Sequence, residues 1–242
     1  MYEKTTLANG LRIVTATMPH TRSVSINFFV GAGSRYETDD IAGVSHFLEH
    51  MLFKGTARRP TPREIAETIE SVGGIMNAGT DRELTVYWCK VPSPHFARTL
   101  DVLADNLRHS LFASEEIEKE RAVIIEELHM VEDNPSDLVG VLIDEVLWPD
   151  QPLGRDIAGS EETVRAIQRE HLVSYLQQQY VPANTVLAVA GNVTHEQVVT
   201  EAERLLGDWE NQPFGTWFPV RNGQTAPRVA LKHKRTEQVH IC

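Results

Sequence analysis

The chain has 242 residues, 41% of them hydrophobic, which is enough to bury the core of one large domain or two small ones. Its 34 acidic and 23 basic residues give a formal net charge of −11, which argues against nucleic acid and anionic membranes as partners and is compatible with a basic peptide. Apolar runs such as 28–32 and 186–190 are far too short to span a membrane.

The two cysteines and the N-terminus narrow the class of protein further. Cys89 and Cys242 form no Cys-x-x-Cys pair, which excludes a thiolate zinc site, and we interpret Cys89 as a small buried residue of a strand. Residues 1–6 have neither the apolar core of a signal peptide nor the Arg/Ser-rich bias of a transit peptide. We therefore expect a cytoplasmic protein, or one whose leader was left off.

Alternating apolar patterns predict the strands. Residues 5–14 alternate around Asn9-Gly10, a pair that is typical of hairpin turns, and residues 23–30 predict the next strand. Residues 75–91 predict a pair of strands that turns near 79–82, and residues 184–190 predict a further apolar strand.

Helical periodicity and capping residues predict the helices. Thr61 is a predicted N-cap, Pro62 takes the first helical position, Glu64 completes a capping box and Gly73-Gly74 stops this helix. The other predicted helices span residues 41–53, 93–111, 114–132, 135–147, 160–167, 169–180 and 194–209. Together these elements predict an α+β fold, with hairpin and crossover pairings in a sheet that helices cover mainly on one face.

The composition changes near the C-terminus. Residues 211–227 contain three prolines and two glycines, which is typical of a linker. Beyond it, residues 228–232 and 238–242 have the pattern of strands with no domain behind them. This pattern predicts a fragment of a longer protein.

The informative motif is H-x-x-E-H at residues 46–50 on a predicted helix. Because residues four apart share a helix face, His46 and His50 can present two imidazoles to one metal ion. Glu49 lies on the same side, where a carboxylate can take a proton from water that zinc has made acidic. The alternative is an amphipathic helix with two surface histidines.

A catalytic zinc site needs a third protein ligand, and the predicted helix over 114–132 offers candidates. Glu120 and Glu127 are seven residues apart and face the same way, within an apolar stripe where an acid needs a partner. Glu126 is rotated by about 100° from Glu127, towards the edge of the stripe. The alternative is that both acids pair with Arg121 or with other basic residues.

The chain resembles the pitrilysin-type inverzincins, most closely the mitochondrial-processing-peptidase branch and its bacterial relatives. That family places a glutamate after 76 intervening residues, and here residues 51–126 separate His50 from Glu127, so the resemblance selects Glu127 over Glu126. Glu120 matches a second acid that supports the family's site. Further matching segments are 7–11, 31–37, 50–56, 73–78, 180–184 and 191–193.

The resemblance implies a mixed, mostly antiparallel sheet and a particular domain plan. Residues 1–210 would form the catalytic domain, residues 211–227 a linker and residues 228–242 the start of a truncated second, homologous domain. The run at Asn77 and Ala78 would be an exposed sheet edge that binds a peptide as an added strand, with Asn77 also able to bond the substrate through its side chain. The alternative for Asn77 is an ordinary turn or strand-start residue.

The resulting hypothesis is a zinc-dependent endopeptidase with one zinc ion per chain, held by His46, His50 and Glu127. Glu49 would be the general base, and Glu120 would be a second catalytic residue that supports the site. Substrates would be peptides or unfolded, presequence-like segments. The partner would be a second homologous half or subunit, and a homodimer through an unpaired strand is compatible with the pattern. The alternatives are a structural subunit that has lost the chemistry, and a zinc hydrolase of non-peptide substrates, against which the linker argues.

Overall fold

The computed structural model of the protein describes residues 1–234 and 237–242. The strands of the described residues are β1 (Glu3–Thr6), β2 (Arg12–Thr17), β3 (Ser23–Val30), β4 (Ile75–Thr80), β5 (Thr85–Pro92) and β6 (Thr185–Gly191). The α-helices are α1 (Val44–Met51), α2 (Pro62–Glu70), α3 (Phe96–His109), α4 (Ser114–Asp133), α5 (Pro135–Leu147), α6 (Glu161–Ala166), α7 (Arg169–Gln179) and α8 (His195–Leu206).

All six strands lie in one sheet with the order β1-β2-β6-β3-β5-β4. β2 and β6 are parallel, while the other neighbouring pairs are antiparallel. In β3, alternate residues from Val24 to Val30 are fully buried against the helices, and their neighbours on the other face are more accessible. The predicted α+β fold, with its mixed and mostly antiparallel sheet covered mainly on one face, is confirmed.

The turn at Asn9-Gly10 and the cap at Thr61, both predicted from short sequence patterns, are present in the structure. The Asn9-Gly10 turn joins β1 to β2, and Gly10 has a φ of 93°, in the left-handed region that favours glycine. Thr61 and Glu64 form the predicted capping box of α2. Cys89 is fully buried in β5, as expected.

The two predicted C-terminal strands are wrong, since neither 228–232 nor 238–242 forms a strand in the described part of the chain. A strand needs a neighbour for its backbone hydrogen bonds, and this segment lies outside the sheet, with Val229 and Leu231 over 90% exposed. Its contacts are made by long side chains: Arg228 donates to the Val146 carbonyl and Lys232 to Glu132. Thr236, which falls within the predicted start of the second domain at 228–242, lies outside the described residues.

The described helices include none that is both long and apolar enough to cross a lipid bilayer.

Candidate metal centre

The helix that carries the H-x-x-E-H motif begins at an unusual N-terminus. Gly43, its N-cap, has a φ of 94°, and a Cβ there would collide with the carbonyl oxygen of Ala158. The fully buried carboxylate of Glu37 accepts the backbone N–H groups of Gly43 and Ser45, both at 2.8 Å. Burial raises the pKa of Glu37, although these hydrogen bonds and the charge of Arg155 oppose the rise.

The two sides of α1 have different environments. Val44, Phe47, Leu48 and Met51 are buried in the core, which fixes the rotation of the helix. The motif residues therefore lie on the opposite side, half-buried, where α1 packs beside α4 and β4.

The structure brings together the three predicted ligands. His46, His50 and Glu127 each offer one ligand atom, and these atoms lie within 4.8 Å of one another. His46 Nε2 is 3.3 Å from His50 Nε2, and Glu127 Oε2 is 3.7 Å and 3.6 Å from these two nitrogens. A tetrahedral zinc ion with bonds of about 2.1 Å would separate its ligand atoms by about 3.4 Å, so this nearly equilateral triangle fits the ion.

The ionisation of His46 suits a ligand. Burial, together with the nearby His50, lowers the pKa of His46 to about 4. His46 is therefore a neutral imidazole near pH 7, which is the form that binds metal.

Glu120 lies behind His50 and not in the ligand triangle. Its Oε2 is 3.0 Å from His50 Nδ1, and its Oε1 forms an ion pair with Lys54 Nζ at 2.6 Å. The alternative that this acid pairs with a basic residue is confirmed for Lys54 and wrong for Arg121, whose guanidinium pairs with Glu118 and with the Val164 carbonyl.

Glu49 projects beside the triangle and bonds to the neighbouring hairpin. The Thr80 hydroxyl donates to Glu49 Oε2 at 2.6 Å. Burial is the largest influence on Glu49 and raises its pKa, and Glu127 adds to this, whereas Thr80 and His50 oppose it.

β4 lies at one end of the sheet and pairs with β5 on one side. The predicted substrate-binding residues Asn77 and Ala78 lie on this outer strand. Asn77 Oδ1 accepts the backbone N–H of Ala78 at 2.8 Å, so the Asn77 amide occupies a main-chain donor of the edge. An open groove of about 630 Å³ is lined by Glu127 and by residues at the end of α4 and the start of α5, among them Asp133 and Asp137.

Sequence reasoning assigned no function to Glu37, Lys54 or Thr80. Lys54 lies past the end of α1, so helical spacing from His50 does not predict its ion pair with Glu120. Glu37 and Thr80 reach α1 through loops and the sheet, so no local spacing predicts their contacts.

The sequence matches two family models. Residues 12–161 match the model described as insulinase (peptidase family M16), and residues 166–242 match the model described as peptidase M16 inactive domain. A Bacillus subtilis (strain 168) protein named an uncharacterized zinc protease is 40% identical over 242 residues, covering 100% of this chain and 58% of that protein. A probable mitochondrial-processing peptidase subunit beta of Arabidopsis thaliana is 41% identical over 218 residues, covering 90% of this chain and 41% of that protein.

A solved structure agrees with the fold. A protease from Helicobacter pylori superimposes with a TM-score of 0.85 at 21% identity, covering 92% of this chain and 54% of that one. This chain spans about half the length of the curated relatives it matches.

Proposed function

The chain belongs to peptidase family M16, the insulinase family, and on that premise we propose that it is the zinc-binding part of an endopeptidase. His46, His50 and Glu127 hold one zinc ion per chain. The observation that carries this proposal is the triangle of ligand atoms, with sides of 3.3 Å, 3.6 Å and 3.7 Å.

Glu49 is the general base of the proposed reaction. When bound, zinc would act as a Lewis acid that polarises the peptide carbonyl and lowers the pKa of water to near 7. Thr80 holds Oε2 of Glu49, and the other oxygen, Oε1, takes the proton of the attacking water and then passes it to the leaving amine.

The substrates are extended peptides or unfolded, presequence-like segments. The outer edge of β4 supports this proposal, because a peptide can add to such an edge by main-chain hydrogen bonds once Asn77 releases the Ala78 N–H. The acidic groove beside Glu127 favours basic side chains. Digestion of a peptide library should enrich Arg or Lys near the cleaved bond, and cleavage without such enrichment would contradict this specificity.

We also propose that a second homologous half or subunit completes the enzyme, and that two copies of this chain associate where that half is missing. Residues 1–210 are the catalytic domain, 211–227 the linker and 228–242 the beginning of the second domain. The sheet supports a first domain that extends beyond β6, because β6 pairs between β2 and β3 in the centre of the sheet. β6 belongs to this sheet even though its residues match the second family model, which covers 166–242.

Metal content tests the proposal. After dialysis against metal-free buffer, elemental analysis should find about one zinc per chain, and much less in Glu127→Gln. The control is Glu126→Gln, which changes an exposed neighbour outside the triangle and should keep its zinc. A chain without zinc, even after zinc is added back, would contradict the proposal and favour a structural subunit of the same fold.

A further inference from the structure

Three side chains form a line that leads away from the ligand triangle. His50 directs Nε2 towards Glu127 and Nδ1 towards Glu120. Glu120 uses one oxygen for His50 and the other for Lys54, so its carboxylate bridges an imidazole and an ammonium group. Only 9% of the Glu120 side chain and 25% of the Lys54 side chain are exposed.

The two histidines differ in how their rings are held. Nδ1 of His46 is buried and has no hydrogen-bond partner among the described residues, whereas Nδ1 of His50 has Glu120. Because the hydrogen bond at Nδ1 fixes the tautomer and orientation that leave Nε2 available, Glu120 can control the alignment of His50 but not that of His46.

We propose that Lys54 is a positioning residue of the metal centre, which acts through Glu120 to hold His50 in its ligating orientation. This inference rests on the proposed zinc site, to which it adds a residue that touches neither the metal ligands nor a substrate. Lys54 carries the one ammonium or guanidinium group paired with Glu120 in the described part of the chain.

The physical reason is the burial of the Glu120 charge. A buried carboxylate is costly without a compensating cation. We therefore expect Glu120 to turn towards water when Lys54 is replaced by an uncharged residue. With Lys54 in place, Oε1 is anchored and Oε2 stays directed at His50. Loss of partners that orient a ligand typically weakens metal binding by about 10–100-fold.

Zinc affinity tests the inference without requiring activity. Zinc would be titrated into the metal-free chain in competition with a chromophoric chelator, at one pH and ionic strength. We expect Lys54→Met to weaken binding by about tenfold and Lys54→Arg, which keeps the charge, to restore most of it. Lys232→Met is the matched control, because Lys232 pairs with Glu132 on the same helix α4 and not with Glu120, and the zinc affinity of this variant should not change.

A double-mutant cycle separates positioning from a merely structural role. In the Glu120→Gln background, Lys54→Met should have little further effect on zinc affinity, because Lys54 acts through that carboxylate. Lys54→Gln provides a second uncharged variant if Lys54→Met does not fold, as judged by circular dichroism of the metal-free chain.

The outcomes distinguish this inference from the proposed function. Unchanged zinc affinity in the folded, uncharged Lys54 variants would overturn the role of Lys54 and leave the proposed function standing. Equal losses from Lys54→Met with and without Glu120 would overturn the route through Glu120. A wild-type chain that binds no zinc would overturn the proposed function, and this inference with it.

Discussion

The side chain of Glu49 is held in position by a hydrogen bond from another element of the fold. Thr80 lies on β4, and its hydroxyl bonds one oxygen of Glu49 at the side of the ligand triangle. Because burial also raises the pKa of this carboxyl, its ionised form is a stronger base than an exposed glutamate. The residue is outside the triangle, so its chemical role can be separated from zinc binding.

Glu49→Gln should keep about one zinc per chain and lose peptide hydrolysis by about 100-fold or more, because the amide cannot accept the proton of the attacking water. Zinc content is measured on the present chain, and hydrolysis on a longer chain that includes the second half. Glu126→Gln is the control for both measurements. Hydrolysis that survives Glu49→Gln would exclude Glu49 as the general base.

At the residue scale, predictability follows distance along the chain. His46 and His50 are four residues apart on one helix, so their shared side follows from helical geometry alone. Glu127 is on another helix, and its selection over Glu126 depended on the resemblance to a known spacing. The contacts of Thr80 and Glu37 depend on tertiary packing and were missed.

At the element scale, the N-terminus of α1 depends on one buried acid. Glu37 accepts two backbone N–H groups that helical hydrogen bonding leaves unpaired. α2 has an ordinary cap, in which the exposed Thr61 accepts the N–H of Glu64. The two helices therefore offer a matched comparison of a buried and an exposed cap.

Glu37→Ala should lower the free energy of unfolding by about 2–4 kcal/mol, because it leaves two buried donors without an acceptor. Thr61→Ala should cost only about 1 kcal/mol, as is usual for an exposed cap. Urea unfolding of the metal-free chain measures both. Equal losses for the two variants would contradict the special contribution of Glu37.

The same contrast explains which elements the sequence predicted. The capping box at Thr61 formed as expected because its partners lie within three residues, and the structure has capping boxes of the same spacing at Ser160 and Thr194. Residues 228–232 also have an alternating pattern, but they form no strand. A strand forms only beside another strand, and the alternating pattern does not tell whether a neighbouring strand is present.

At the scale of the whole molecule, the candidate site joins parts that are distant in the chain. α1 and α4 carry the three proposed ligands, and Thr80 of β4 bonds the proposed base Glu49. Zinc bound across α1 and α4, as proposed, would stabilise the folded chain, since the unfolded chain does not hold these three groups together. Removal of zinc should therefore lower the free energy of unfolding of the whole chain.

Free zinc at about 100 times its dissociation constant should stabilise the chain by about 2.7 kcal/mol, which corresponds to a rise of about 5–11 °C in Tm for a chain of this size. Scanning calorimetry with zinc and with excess chelator measures the difference. Glu126→Gln should retain this difference, and Glu127→Gln should show a smaller one at the same zinc concentration because one ligand of the triangle is missing. An identical Tm with zinc and with chelator in the wild-type chain would mean that the ion does not bridge α1 and α4.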